Sequence, residues 1–142
     1  PTMAKNFIIG VIYKHPSDNI SLFNREMEKL SHVISKEDKL CIICGDFNIN
    51  LLNYTLEQPK VFLDVMVSEN YIPYITLPTR ITDQTATLID NIFVHHTSDT
   101  IEEEITSGNL LTDITDHLPN FLIYGQHATK FKCERQIYQD LQ

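Results

Sequence analysis

Apolar residues along the chain fall into two patterns, short runs that are apolar at every position and longer stretches with one apolar stripe. Phe7 to Tyr13 (FIIGVIY) is apolar on both alternating faces apart from its glycine, as in a strand buried on two sides, and is predicted to be a central strand. After the turn-like His15-Pro16-Ser17-Asp18, apolar residues recur at Ile20, Phe23, Met27, Leu30 and Ile34. That spacing of three and four makes a single stripe on a helix, which should cover the sheet. Leu40 to Cys44 is a second doubly apolar strand and ends abruptly in Gly45-Asp46-Phe47-Asn48. Pro59 suits a first helical turn, and Phe62, Leu63, Val65 and Met66 give a second helix running to about Asn70.

Three further strands are predicted at Ala86 to His95, Ile101 to Thr106 and Phe121 to Tyr124, separated by polar segments such as Thr97-Ser98-Asp99 and Ser107-Gly108-Asn109. The order strand, helix, strand, helix and then strands gives an α/β or α+β class with one mixed sheet and two covering helices. From Gln126 the chain is polar without an apolar stripe, so residues 126–142 read as a linker or frayed tail behind a domain at 1–125.

At 142 residues, 42% of them hydrophobic and 21% charged, the chain has enough apolar material for one core and one domain. No apolar run is long enough for a membrane span, and the N-terminus lacks the layout of a signal peptide, so no membrane partner is expected. The three cysteines are few for a secreted scaffold, and an intracellular protein of nucleus or cytoplasm is expected. Cys41 and Cys44 form a CxxC, but residues three apart on a strand face opposite sides, so both read as core residues rather than metal ligands. A formal net charge of −8 is the wrong sign for holding nucleic acid by bulk electrostatics. It is compatible with a nuclease whose carboxylates are clustered to hold a divalent cation.

Three acidic motifs lie at predicted strand ends: Gly45-Asp46-Phe47-Asn48, Leu88-Ile89-Asp90-Asn91-Ile92-Phe93 and Thr115-Asp116-His117-Leu118-Pro119. Singly, each has a plain structural explanation, because short polar side chains favour turns and caps. Asp90 is different, since strand alternation puts it in line with Leu88, Ile92 and Val94 on an apolar face. A carboxylate there needs a partner to offset its desolvation. His117 is the candidate, because an Asp–His pair fixes the imidazole tautomer and stabilises its charged form. Phosphodiester cleavage needs a metal, a group to orient or deprotonate water, and donors to the phosphate oxygens. Asp46, Asn48, Asp90, Asp116 and His117 supply those residue types.

Taken in sequence order, the strand-terminal GDFN, the LIDNIF and the TDH followed by Pro resemble the endonuclease/exonuclease/phosphatase superfamily, the DNase I-like proteins, from about Phe7 to Tyr124. Gly10-Val11-Ile12-Tyr13-Lys14-His15-Pro16 looks like the tyrosine-and-proline strand end of that family. Gly45 to Leu52, Pro78-Thr79-Arg80-Ile81-Thr82 and Ala86-Thr87-Leu88-Ile89-Asp90 are similar to the endonuclease domains of LINE-type retrotransposons. The resemblance implies metal-dependent hydrolysis of DNA. Its catalytic residues would be Asp46, acting on the attacking water, Asn48, Asp90 and His117. Tyr13 and Asn48 would contact the phosphate, and Asp116 with Asp46 would hold a weakly bound Mg²⁺ or Mn²⁺. These residues should line one rim of the sheet, with Asp90 about 2.6–3.2 Å from His117.

The family's asparagine and metal-binding glutamate lie in an N-terminal half that precedes the tyrosine strand, whereas six residues precede it here. Half of a two-sheet sandwich is therefore expected, with impaired catalysis. A non-catalytic binding or assembly module is the first alternative, and a phosphatase of lipid or inositol phosphates the second. The two helices can cover one sheet face only. The other would expose a contiguous apolar patch, so DNA is not the only expected partner: the chain should also self-associate through that face or meet a chain carrying the N-terminal half.

Overall fold

A computed structural model describes residues 7–37, 39–96 and 104–125. Its centre is a four-stranded mixed sheet built from β1 (Phe7–Tyr13), β2 (Leu40–Asp46), β6 (Asp90–His95) and β3 (Tyr71–Pro73), in the order β1-β2-β6-β3. β1 runs parallel to β2, and β6 runs antiparallel to both β2 and β3. Two helices, α1 (Ile20–Ser35) and α2 (Glu57–Ser68), cover one face, and two small antiparallel pairs stand beside the sheet: β4 (Arg80–Ile81) with β5 (Ala86–Thr87), and β7 (Glu104–Asn109) with β8 (Asn120–Gly125). The expected mixed sheet with two helices is the observed fold class.

Local chemistry explains the helix boundaries. Asn19 caps α1 by accepting the Leu22 amide at 2.9 Å, and the buried stripe runs through Met27 and Ser31, leaving Leu30 40% exposed. In α2 the apolar positions Phe62 and Met66 are fully buried. The core lies between the helices and the sheet, where Phe47, Phe62 and Phe93 pack with ring centroids 5.2–5.7 Å apart and Cys41, Ile43, Met66 and Tyr71 close around them.

Several sequence expectations are corrected. Among the described residues β1 is an edge strand, not a central one, and its second apolar face is bare: Phe7, Ile9, Val11 and Tyr13 are 55–79% exposed. Only the face carrying Ile8 and Ile12 packs on the core. The single strand expected from Ala86 to His95 is broken at Leu88 and Ile89. Consequently Leu88 is buried in the core while Asp90, expected in line with it, faces the open side. β3 and β4 were not anticipated, being too short for any period to emerge. Cys41 is buried, but Cys44, expected in the core, pairs with Val11 on the open face and is half-buried. Part of the strand expected at Ile101 to Thr106, and the tail from Gln126, lie outside the described residues.

Gly45 shows how closely β1 and β2 approach. Its φ is +150°, and a Cβ placed there would lie 1.8 Å from the carbonyl oxygen of Ile12. Gly10, one strand away, would bring a Cβ no nearer than 3.9 Å to Ile43. The two substitutions should therefore differ in sign. Gly10→Ala should be neutral or stabilising by up to about 1 kcal/mol, the usual gain over a strand glycine. Gly45→Ala should cost about 3 kcal/mol or more, or prevent folding, from backbone strain plus the clash. Chemical denaturation of the two variants checks this pair, and equal midpoints would contradict it.

Candidate active site

Strand register explains why residues far apart in sequence meet. β1 pairs with β2 so that Tyr13 lies beside Asp46, and β2 pairs with β6 so that Asp46 lies beside Asp90. Registered residues point to one face, so Tyr13, Asp46 and Asp90 form a row across the sheet at the C-terminal end of β2, on the open side. His117 completes the group. Its Nδ1 lies 3.1 Å from Asp90 Oδ2, inside the range expected for an orienting pair, and 3.4 Å from Oδ1, beyond it.

His117 reaches this place through backbone pairing. A bridge joins it to Arg80, the Ile81 amide donates to the Asp116 carbonyl at 2.8 Å, and the Leu118 amide donates to the Thr79 carbonyl at 2.7 Å. Thr115 tightens the turn, its Oγ1 accepting the His117 amide at 2.8 Å.

Asp46, Asp90 and His117 each present a ligand atom within 4.8 Å of the others. Two carboxylates and an imidazole in that space are a donor set that Mn²⁺ accepts and that Mg²⁺ would use through its oxygens. Asp116, expected to share a metal with Asp46, is not in this group. Its Oδ2 accepts from Arg80 Nε at 2.7 Å, and that hydrogen bond with the guanidinium holds its carboxyl below the usual carboxylate value. The pair is solvent-exposed and screened, so it adds little to stability, but it engages the Asp116 carboxylate outside the Asp46–Asp90–His117 group. Arg80 gave no signal in the sequence as Asp116's partner.

Burial is the main cause that raises the pKa of Asp46, and the nearby charge of Asp90 adds to it, while the Asn48 amide and His117 oppose it. Asn48 sits in the left-handed region at φ +49°. Its backbone amide donates to Asp46 Oδ1 at 3.0 Å and its Nδ2 to the Lys14 carbonyl at 2.9 Å, so it locks the loop after β2 to the end of β1. Tyr13 is two-thirds exposed at the end of the row. Beside Asn48 a cavity of about 430 Å³ opens between the starts of the two helices, lined by Lys14, Asp18, Asn50 and Glu57, and it takes in none of Asp46, Asp90 or His117. The three-residue cluster stands on an open rim instead.

No protein-family model matches the chain, and neither does any curated protein. A solved structure of an endonuclease/exonuclease/phosphatase family protein from Leptotrichia buccalis C-1013-b is similar to it, with a TM-score of 0.55 at 12% identity over 83% of this chain. The likeness is one of fold, a DNase I-like α+β architecture. The chain spans about half the length of that protein, 49%.

The raised pKa of Asp46 has a consequence for stability. A carboxyl that holds its proton more tightly folded than unfolded costs stability when ionised, above its folded pKa, and costs nothing once pH falls below its ordinary value of 3.8. Asp46→Asn should therefore melt higher than the parent chain at neutral pH in the presence of a chelator, and the gap should close on acidification below the usual carboxylate range. Thermal melts across pH test this, and a gap that widened toward acid would contradict it.

Proposed function

We propose that the chain is about half of a metal-dependent phosphodiesterase, that its substrate is DNA, and that it derives from a retrotransposon-type endonuclease. The observation that carries this reading is the meeting of Asp46, Asp90 and His117 beside Tyr13 at one end of the sheet. The retroelement-like stretches, Pro78 to Thr82 among them, support DNA over a small phosphate ester. The half-length correspondence to a superfamily member supports the idea of an incomplete domain.

Hydrolysis forms a bond from a water oxygen to phosphorus and breaks the bond to the leaving alkoxide. Asp46 takes the water's proton, and its raised pKa makes its carboxylate a stronger base than a free one. Asp90 holds His117 by Nδ1, which orients the opposite ring nitrogen toward the phosphate and the leaving oxygen. Tyr13 and the Asn48 carboxamide serve as phosphate contacts. A Mg²⁺ or Mn²⁺ ion, weakly held by the oxygens of Asp46 and Asp90 with His117 in reach, would neutralise charge developing on the phosphate.

A second sheet is expected over the bare face of β1 and β2. Phe7, Ile9, Val11 and Tyr13 present one row of large exposed side chains, with Leu40, Ile42 and Cys44 half-buried in the row beside it. The same patch favours the second reading, a binding or assembly module that keeps the site residues without using them. Its occupant is a polypeptide carrying the N-terminal half of such a domain or, failing that, a second copy of this chain.

Plasmid nicking separates these readings. Alone, the chain should nick supercoiled DNA feebly or not at all with Mg²⁺ or Mn²⁺, and addition of the N-terminal half of a family endonuclease should restore metal-dependent nicking. Asp46→Ala or His117→Ala should then lower the rate by about 10²–10⁴-fold. Sedimentation should find the isolated chain self-associated at high concentration. A stable monomer would remove the argument from the open face, and an inert complemented complex would remove the nuclease reading.

A further inference from the structure

Thr79 is fully buried and is not among the groups that would touch a phosphate, yet it is bonded to two separate stretches of chain, Thr87 to Asp90 and Leu118. Its Oγ1 accepts the amides of Ile89 and Asp90 at 3.1 and 3.0 Å, its amide donates to the Thr87 carbonyl at 2.8 Å, and its carbonyl accepts the Leu118 amide at 2.7 Å. The two amides it captures lie at the break between β5 and β6, where the strand ladder stops. A side-chain oxygen there replaces a missing strand partner. One residue thus holds the backbone of Asp90 with its side chain and the backbone next to His117 with its main chain.

We propose that Thr79 is the positioning residue of the Asp90–His117 pair. Asp90 starts β6, whereas His117 lies outside the strands and is tied by an isolated bridge to Arg80 in β4, which is only two residues long. Without the hydroxyl, the Ile89 and Asp90 amides lose their acceptor, and the break is held only from the loop after β2, where the Phe47 and Leu51 amides donate to the Ile89 and Leu88 carbonyls and Asn50 Oδ1 accepts the Leu88 amide. The Asp90 carboxylate would then drift from His117 Nδ1, although neither side chain is altered. Thr79→Val keeps the shape and removes the acceptor, whereas Thr79→Ser keeps the acceptor. This inference rests on reading Asp90 and His117 as site groups, but its first test needs no activity.

Long-range ¹H–¹⁵N correlation of the imidazoles, with His117 assigned through His117→Gln and recorded where the ring is neutral, reports the tautomer. The parent chain and Thr79→Ser should show His117 protonated at Nδ1, the form held by Asp90, and Thr79→Val should revert to the mixture of a free imidazole. A folded Thr79→Val that keeps the Nδ1–H form would overturn the proposal. Should that variant fail to fold, amide exchange in the unaltered chain decides: Ile89 and Asp90 must be protected like their β6 neighbours, and exchange as fast as an exposed loop would refute the role. In the complemented complex, Thr79→Val should lower kcat for nicking by about 100-fold with KM little changed, and Thr79→Ser should restore it. If the parent complex nicks no DNA, the nuclease reading fails while the tautomer still tests Thr79.

Discussion

Asp46 and Asp90 stand directly opposite one another in the antiparallel pair of β2 and β6, an arrangement that costs stability unless something offsets the repulsion. The other features of the rim follow from that one pairing. His117 is brought to Asp90 at hydrogen-bonding distance and opposes the rise in Asp46's pKa, and the Asn48 amide donates to Asp46. Burial is the larger cause of Asp46's raised pKa and the charge of Asp90 adds to it, so what remains is a carboxylate that still prefers its proton more than a free one does. Such local frustration is ordinary at functional sites and unusual in a purely structural sheet.

Holding two carboxylates with oxygens within 4.8 Å of each other requires a stiff frame. Behind the rim, Phe47 follows Asp46 directly and is fully buried against Phe62 and Phe93, and Phe93 lies on the same strand as Asp90. Both acids are thus one to three residues from an aromatic anchor in the same core. Gly45 permits the close approach of β1 that puts Tyr13 in the row. In front of the rim there is no comparable support among the described residues. The face bearing Phe7, Ile9 and Val11 is exposed and the cluster lies outside the nearby cavity, so the described residues screen the site only in part, leaving Asp46, Asp90 and His117 each half-buried. Fuller exclusion of water, which strengthens charge stabilisation in a hydrolytic site, would have to come from whatever packs on that face.

The sequence by itself determined the layer order, both helices and the strands β1 and β2, because each rests on local period, while the grouping of Asp46, Asp90 and His117 was expected from the resemblance of three dispersed motifs to a known family. The apolar doubling of Phe7 to Tyr13 was legible too, but its meaning was not. Doubling records that a face is hydrophobic, and it does not record whether a strand lies in the middle or at the edge of the sheet. Only the tertiary structure decided that Asp116 turns to Arg80, that Leu88 and Asp90 fall on opposite sides, and that Thr79 holds the break between them. These depend on pairings between segments distant in the chain, whose hydrogen bonds are made through backbone atoms common to every residue. No side-chain pattern announces them, which is why they emerge only when the chain is folded.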